Sequence, residues 1–141
     1  MKYILPALFV ALACAPPKTP KAEDEAKIRE VLTTQQAAWN EGNLDLFMEG
    51  YWKSDSLQFI GSSIRYGWQQ TLDNYKKNYS TRELMGRLQF EIWQIVPHAP
   101  DTYLLTGKYT LFRESDQPSG PFTLIFKKIN NKWVIVYDHT S

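Results

Sequence analysis

The sequence predicts one α+β domain in which a curved antiparallel sheet packs on three helices, in the order ααββαββββ. Three observations predict this fold class. Apolar residues recur at helical spacing in the first half of the chain, and alternating segments with short turns fill the second half. A length of 141 residues, of which 43% are hydrophobic and 14% aromatic, suits one domain with one core.

The three predicted helices are defined by the faces that their apolar residues form. The first runs from Ala22 to Gly42, which ends it, and acidic residues in its first turn suit the helix dipole. Asn43 is a good N-cap for the second, short helix, and Gly67 leads into the third. Their inner faces comprise Ile28, Leu32, Gln35 and Trp39, then Leu44, Phe47, Met48 and Tyr51, then Trp68, Leu72, Tyr75 and Tyr79.

Six strands are predicted around and after the third helix. The first two are short and flank Gly61, whereas the last four are long and joined by short turns, which favours an antiparallel meander. Asn130-Asn131 predicts a tight hairpin turn between the last two. The predicted strands span residues 57–60, 64–66, 88–96, 103–113, 122–129 and 133–139.

The first residues have the pattern of an export signal. Met1 and Lys2 give a short positive start, and an apolar run of 11 residues extends from Tyr3 to Ala13. This run is too short for a membrane-spanning helix, which needs about 20 residues, and it fits the apolar core of a secretory signal. We therefore assign residues 1–13 to a signal peptide.

Cys14 allows two interpretations of the cleavage site. Residues 11–14 resemble a bacterial lipobox, although Ala11 stands where leucine is usual, and residues 11–13 also form an ordinary A-x-A site. In the first interpretation Cys14 is lipidated, residues 14–23 are a tether, residues 24–141 are the domain, and the protein is held in the cell envelope. No polybasic patch is present, so the lipid anchor alone would attach the protein to a membrane. In the second interpretation the protein is periplasmic or secreted and soluble.

The composition excludes several functional classes. A formal charge of +1 lacks the basic excess of nucleic-acid-binding proteins. A lone cysteine cannot form an internal disulfide, and two histidines with one cysteine cannot complete a four-ligand zinc site. Neither a glycine-rich phosphate loop nor a G-x-S-x-G nucleophile elbow occurs. We therefore expect no nucleic-acid partner, no metal and no cofactor.

Two phrases give the domain a family resemblance. They are Ala38-Trp39-Asn40-Glu41-Gly42-Asn43 in the first helix and Trp133-Val134-Ile135-Val136-Tyr137-Asp138-His139-Thr140-Ser141 in the last strand. With the element order, residues 24–141 resemble the nuclear transport factor 2-like superfamily. The most similar branch is the SnoaL-like one, kin of the association domain of calcium/calmodulin-dependent protein kinase II. The resemblance implies a cone-shaped roll, in which a bent sheet wraps a long helix and leaves a pocket.

The resemblance does not imply one reaction, because the superfamily includes isomerases, dehydratases, cyclases, transport adaptors and oligomerising modules. Ketosteroid isomerase, a member with known chemistry, uses an oxyanion tyrosine, a base aspartate and a protonated aspartate. In this chain the tyrosine position holds Gln35, the base position holds Ile60 or a neighbour, and the position of the protonated aspartate falls near Leu124. Tyr51 and Tyr75 correspond to its supporting tyrosines. The resemblance therefore implies a pocket that keeps its aromatic wall and lacks a carboxylic acid, so we do not expect ketosteroid-type catalysis.

The last strand supplies the main candidate for chemistry. Strict alternation places Trp133, Ile135, Tyr137 and His139 on one face, and the alignment with the superfamily directs Tyr137 and His139 toward the interior. A histidine titrates near neutrality and can act as an acid, a base or a hydrogen-bond donor. Any catalysis is therefore assigned to His139. The alternative is a core histidine that is bonded to a neighbouring strand or to the backbone of Asp138.

Two further polar residues are candidate ligand contacts. Arg113 at a pocket mouth would favour a carboxylate, and the alternative is a salt bridge with Glu114 or Glu91, or a solvated side chain. Gln35 lies on an apolar face, where an unsatisfied amide costs about 1–3 kcal/mol, so it needs a side-chain, backbone, water or ligand partner. The expected ligand-binding residues are Gln35, Trp39, Tyr51, Tyr75, Tyr109, Arg113, Tyr137 and His139.

Three functions are consistent with this sequence. The first is a cell-envelope lipoprotein whose pocket binds a small apolar or carboxylate-bearing molecule. The second is an oligomerisation or partner-docking domain, since the resemblance implies a homodimer through the outer sheet face, where Phe112 and Trp93 would be exposed. The third is a SnoaL-like isomerase, cyclase or dehydratase that uses His139. We favour the first, and we expect a binding role rather than an enzyme.

Overall fold

The computed structural model describes residues 20–141, and its elements follow the predicted order with one addition. The predicted signal peptide, Cys14 and the first part of the predicted tether lie outside the described residues. The helices are α1 (Pro20–Asn40), α2 (Leu44–Met48), α3 (Trp68–Asn78) and α4 (Arg82–Met85). The strands are β1 (Gln58–Ile60), β2 (Ile64–Tyr66), β3 (Arg87–Ala99), β4 (Thr102–Phe112), β5 (Ser119–Ile129) and β6 (Lys132–Thr140).

The α+β fold class is confirmed, and the six strands form one sheet in the order β2-β1-β6-β5-β4-β3. Every neighbouring pair is antiparallel as expected, except β1 and β6, which run parallel. The long strands β3 to β6 are consecutive in both sequence and sheet. Because β1 joins the free edge of β6, the short β1–β2 hairpin extends the sheet beyond the last strand.

Helix α1 crosses the concave face of the sheet and packs against α2, β3 and β6. Its inner face is the predicted one, since Ile28, Leu32, Gln35 and Trp39 are all buried. Burial of these side chains against strands such as β5, where Leu124 and Phe126 point inward, removes apolar surface from water and stabilises the fold. Among residues 20–141, no helix is long and apolar enough to cross a bilayer.

Helix α1 includes residues at the end of the segment that was assigned to the tether. Pro20 and Lys21 were expected to be extended, with the helix starting at Ala22, but both residues belong to the first turn of α1. Pro20 can occupy this turn because the missing N–H has no intrahelical acceptor there and its fixed φ suits the helix. Among the described residues, α1 is therefore helical from Pro20 onward.

Helix α4 is the added element. Thr81 caps it by accepting a hydrogen bond from Leu84 N at 3.3 Å, and Gly86 follows it with a φ of 60°. Arg82 in this turn donates to the carbonyls of Trp39 (2.8 Å) and Asn40 (3.0 Å) at the end of α1. The short helix thus holds the C-terminus of α1 in place, where a cation is favoured by the helix dipole.

Candidate functional site

A cavity of about 300 Å³ lies between the helices and the concave face of the sheet. Its apolar wall combines side chains of the helices with those of the long strands. These are Trp39, Phe47, Phe59, Tyr75, Tyr79, Leu88, Phe90, Tyr109, Leu111, Phe122 and Leu124. The polar lining residues are Gln35, Tyr51, Ser62, Arg65, Asn74, Asn78, Asp138, Thr140 and Ser141.

The helical side of the cavity is a network of edge-to-face aromatic contacts. The ring of Trp39 lies 5.2 Å from Phe47 and 4.9 Å from Tyr79, and the ring of Tyr75 lies 5.2 Å from Phe47. Phe59 closes the network from the sheet, with its ring 5.8 Å from Tyr75. Such contacts favour fixed ring orientations, so the wall has a defined shape that suits a flat apolar group.

Asp138 is the carboxylate of the cavity. Its side chain is buried, with 3% of the residue exposed. Tyr51 Oη donates to Asp138 Oδ2 at 2.7 Å, and Thr140 Oγ1 donates to Asp138 Oδ1 at 2.6 Å. Within residues 20–141 no cationic side chain forms a salt bridge with it. Because a carboxylate has about four acceptor sites, the two hydroxyls leave room for further donors.

Burial shifts the titration of this group and its neighbours. It raises the pKa of Asp138 from 3.8 to about 6, against the opposing effects of the Thr140 and Tyr51 hydrogen bonds and of His139. Burial and the nearby Asp138 also raise the pKa values of Tyr51 and Tyr75 well above 10.0. At neutral pH the site therefore pairs a mostly ionised carboxylate with neutral tyrosine hydroxyls.

The expected inward orientation of Tyr137 and His139 is wrong, and a bulge in β6 is the reason. Ile135 pairs with Phe126, but Tyr137 pairs with the preceding residue Ile125, so Val136 is an extra residue. Strict alternation therefore fails after Ile135, and the next inward side chains are those of Asp138 and Thr140. His139 is exposed and Tyr137 is half-buried on the other face, so neither lines the cavity.

The same bulge corrects the expectation of a pocket without an acid. Strict alternation along β6 predicts that the Asp138 side chain points away from the cavity, so the sequence alone did not assign it to the site. A polar residue between Tyr137 and His139 in an otherwise apolar strand was the available signal. The register that turns it inward depends on pairing with β5, which a single strand does not reveal.

Arg113 also lies outside the cavity, contrary to expectation. Its guanidinium lies 3.7 Å from Asp116 and packs 5.9 Å from the centre of the Tyr79 ring. Neither Glu114 nor Glu91 is its partner. The turn after β4 brings Asp116 back to the strand end, where Arg113 N donates to Asp116 O at 3.1 Å, and this local contact holds the side chain away from the cavity.

The remaining expected residues, Gln35, Trp39, Tyr51, Tyr75 and Tyr109, do line the cavity, and their contact with a ligand stays a prediction. Gln35 is satisfied by the backbone, since its Nε2 donates to Phe47 O at 3.1 Å. Trp39 Nε1 donates to Met85 O at 3.1 Å. These two bonds fix the side chains that join α1 to α2 and to α4.

Arg65 also lines the cavity. It lies on β2 beside the exposed Ser62, and Asn74 and Asn78 of α3 lie at the same rim. Exposed and half-buried polar residues at one end of an aromatic cavity identify its opening. Across residues 20–141, no group of three or more His, Cys, Asp or Glu side chains is placed to hold a metal ion.

Solved structures with the same architecture identify the family. A nuclear transport factor 2-like protein of unknown function from Shewanella oneidensis MR-1 shares 40% identity, and the match covers 84% of this chain and 98% of that one with a TM-score of 0.81. A putative calcium/calmodulin-dependent protein kinase type II association domain from Thiobacillus denitrificans shares 17% identity over 80% and 92% of the two chains, with a TM-score of 0.69. No protein-family profile matches the sequence, and no curated protein matches it significantly.

The identity and coverage of the Shewanella protein establish that this chain belongs to the nuclear transport factor 2-like family. The association-domain structure at 17% identity shows the shared fold alone.

Proposed function

We propose that this protein is a binding protein for a small, largely aromatic molecule that donates a hydrogen bond to Asp138. The observation that carries the proposal is one buried carboxylate, with hydroxyl partners and no cation, in the wall of an aromatic cavity. An ionised carboxylate is costly to bury without a charged partner. A ligand with an amine, a hydroxyl or an amide N–H would supply the missing donor.

The cavity size supports a ligand of about one or two rings. A volume of about 300 Å³ is at the lower end of the range for small-molecule sites, about 300–1,000 Å³. Flat rings can pack against Phe59 and the aromatic side chains of the helices, while Asp138 fixes the orientation. An apolar wall with one polar anchor is the usual composition of such sites.

A ligand titration with two adjacent substitutions tests the proposal. Binding of phenols and aromatic amines is measured by calorimetry with wild-type protein, Asp138→Asn and His139→Asn. We expect Asp138→Asn to weaken binding at least about tenfold, the effect of losing one charge-assisted hydrogen bond. His139→Asn is the matched control, since it changes the next residue on the outer face and should leave binding unchanged. Equal affinities for all three proteins would refute the proposal.

For the cellular location, we propose an exported lipoprotein that is attached to the cell envelope through Cys14. The support is the N-terminal pattern of a short positive start, an apolar run and a small residue before the cysteine. The remaining alternative is an ordinary cleavage site and a soluble exported protein.

A second candidate function is acid–base catalysis by Asp138 rather than by the predicted His139. The observation that favours it is a buried carboxylate in the cavity wall, where burial raises its pKa to about 6, so that it can accept or return a proton near neutrality. Exchange of the α-protons of small aromatic ketones into deuterated water, followed by NMR, tests it. Exchange that is lost in Asp138→Asn and kept in His139→Asn would support catalysis, and equal background exchange in all three would exclude it.

A third candidate is homodimerisation through the outer face of the sheet. Trp93 is 51% exposed and Val96 38% exposed on β3, and large apolar side chains at a surface favour an interface. Phe112 adds less exposed apolar surface to this face than expected, because the Arg87 guanidinium packs 4.3 Å from the centre of its ring. Sedimentation of wild-type protein and Trp93→Asp tests this candidate. A wild-type dimer that dissociates in the variant is expected, and a wild-type monomer would refute it.

A further inference from the structure

Arg65, Phe59 and Asp138 form one row across three neighbouring strands. Arg65 of β2 pairs with Phe59 of β1, and Phe59 pairs with Asp138 of β6. All three residues line the cavity, so they share the concave face of the sheet. Because adjacent strands lie about 4.8 Å apart, the backbones of Arg65 and Asp138 are separated by about 10 Å.

The two charges at the ends of this row do not neutralise each other. Among the described residues, Arg65 forms no salt bridge and no side-chain hydrogen bond, and Asp138 is held by hydroxyls alone. The buried ring of Phe59 stands between them. The wall therefore presents a guanidinium near the opening and a carboxylate further inside, with an apolar surface between.

The rim offers a second donor beside Arg65. Asn78 Nδ2 donates to Asn74 Oδ1 at 2.9 Å, which fixes the Asn74 amide and leaves its Nδ2 as a donor. Both asparagines line the same cavity as Arg65. A guanidinium fork with a neighbouring amide N–H is a suitable receptor for a planar carboxylate.

We infer that the ligand is a small aromatic acid with opposite polar ends, its carboxylate bound by Arg65 and its donor group bound by Asp138. This inference rests on the proposed binding function, and it adds the charge and the polarity of the ligand. Hydroxyaryl and aminoaryl carboxylic acids belong to this class. A neutral hydrocarbon, or a molecule with a donor alone, leaves the guanidinium without a partner.

Matched probes separate the two ends of the ligand. The acid 4-hydroxyphenylacetate carries both groups, 4-hydroxyphenylacetamide replaces the carboxylate by a neutral isostere, and phenylacetate lacks the donor. Calorimetry measures all three with wild-type protein, Arg65→Gln, Asp138→Asn and the control Arg29→Gln. Arg29 is exposed on α1 away from the cavity, so its substitution removes the same charge without touching the site.

We expect wild-type protein to bind the hydroxy acid at least about tenfold more tightly than the amide, the ratio given by one charge-assisted contact of about 1.4 kcal/mol. Arg65→Gln should remove that preference while binding of the amide stays the same, and Arg29→Gln should retain it. Asp138→Asn should weaken both hydroxylated probes and leave phenylacetate unchanged.

The failure of this inference is distinguishable from the failure of the proposed function. If wild-type protein binds acid and amide equally, and both lose affinity in Asp138→Asn, the binding function stands and the role of Arg65 is refuted. If Arg29→Gln removes the preference as fully as Arg65→Gln, the effect comes from net charge, and the site assignment is refuted. If no probe binds wild-type protein, both proposals fail.

Discussion

Tyr51 and Asp138 are 87 positions apart in the sequence, and their side chains share a buried hydrogen bond 2.7 Å long. The backbone reinforces this contact, because Ile135 N donates to Gly50 O at 2.9 Å and Trp52 N donates to Ile135 O at 2.9 Å. The loop after α2 is thereby held against β6. The link positions the carboxylate of the cavity and also connects the helical layer to the sheet.

Replacing Tyr51 by phenylalanine should destabilise the protein and raise the pKa of Asp138 further. The hydroxyl lowers that pKa, and a hydrogen bond to a charged acceptor contributes about 1.5–3 kcal/mol. Urea unfolding at about pH 8 measures the loss, and carboxyl NMR measures the pKa. Tyr137→Phe, three residues before Thr140 and on the other face of β6, serves as the control. Equal stability of the two variants would contradict the role given to Tyr51.

Asp138→Asn should change how stability depends on pH. Since burial raises the pKa of Asp138 from 3.8 to about 6, the folded protein retains a proton between about pH 4 and 6 that the unfolded chain has released. This favours the fold at the acid end of that range, and the contribution is lost as the pH rises through about 6. A shift of this size corresponds to about 3 kcal/mol, of which about 2 kcal/mol falls between about pH 4.5 and 7.5.

The measurement for Asp138→Asn is the free energy of unfolding at those two pH values. The variant has no carboxyl group to ionise at this position, so relative to wild type it should gain stability at the higher pH. Parallel pH profiles for wild type and variant would show that Asp138 titrates alike in the folded and unfolded states.

Gly50→Ala should be destabilising because there is no space for a methyl group. A Cβ at this position would lie 2.7 Å from Gln35 Nε2 and 2.8 Å from Gln35 Cδ. Gln35 is buried and bonded to Phe47 O, so it cannot move without losing that bond. Overpacking of this kind costs about 1–3 kcal/mol.

A double-mutant cycle checks the cause of the Gly50→Ala effect. In a Gln35→Ala background the clash is absent, so the added methyl group should cost much less. Thermal or urea unfolding of the four proteins gives the coupling. Additive effects would show that the loss at Gly50 arises from the backbone rather than from Gln35.

Arg82→Gln should lower the free energy of unfolding by about 1–2 kcal/mol, since it removes two donors from the end of α1. Arg29→Gln on the exposed face of α1 is the control and should have little effect. Hydrogen exchange should show faster opening at the C-terminal turn of α1 in the Arg82 variant. Unchanged protection there would mean that α4 does not hold the helix end.

Cys14→Ala should release the protein from membranes if the cysteine carries the anchor. Fractionation of expressing bacteria, with labelled fatty acid in the medium, measures both location and lipidation. We expect label and membrane association in wild type and neither in the variant, while Ala15→Ser, which keeps the cysteine, behaves like wild type. An unlabelled, soluble wild-type protein would favour the ordinary cleavage site.

Local signals predicted the elements of this fold well. The apolar spacing in α1 and α3, the N-cap at Asn43 and the glycine at position 42 depend on neighbouring residues, and each predicted feature is observed. Asn130 and Asn131 adopt φ values of 48° and 63°, as a tight hairpin turn requires. Helix α4 was not predicted, because its four residues are too few to show the helical repeat of apolar positions.

The sequence predicted the position of the helical residues around the cavity better than that of the strand residues. Residues on helices, such as Gln35 and Trp39, were placed well because helical periodicity is continuous. Asp138 and His139 exchanged their predicted faces because one extra residue at Val136 shifts the phase of β6, and that shift is set by the partner strand. The ionic partner of Arg113 is Asp116, which the turn after β4 brings back to the end of the strand. The spacing of residues in the sequence does not specify the conformation of that turn.

The length of α1 bears on where the cavity would lie if the protein is attached to a membrane. Pro20 is the first described residue of α1 and Gln35 lies at the cavity, so at about 1.5 Å per residue the two residues are about 22 Å apart along the helix axis. If Cys14, six residues before Pro20, carries a lipid and α1 points away from the bilayer, the cavity would lie clear of the headgroups and would exchange its contents with the aqueous phase.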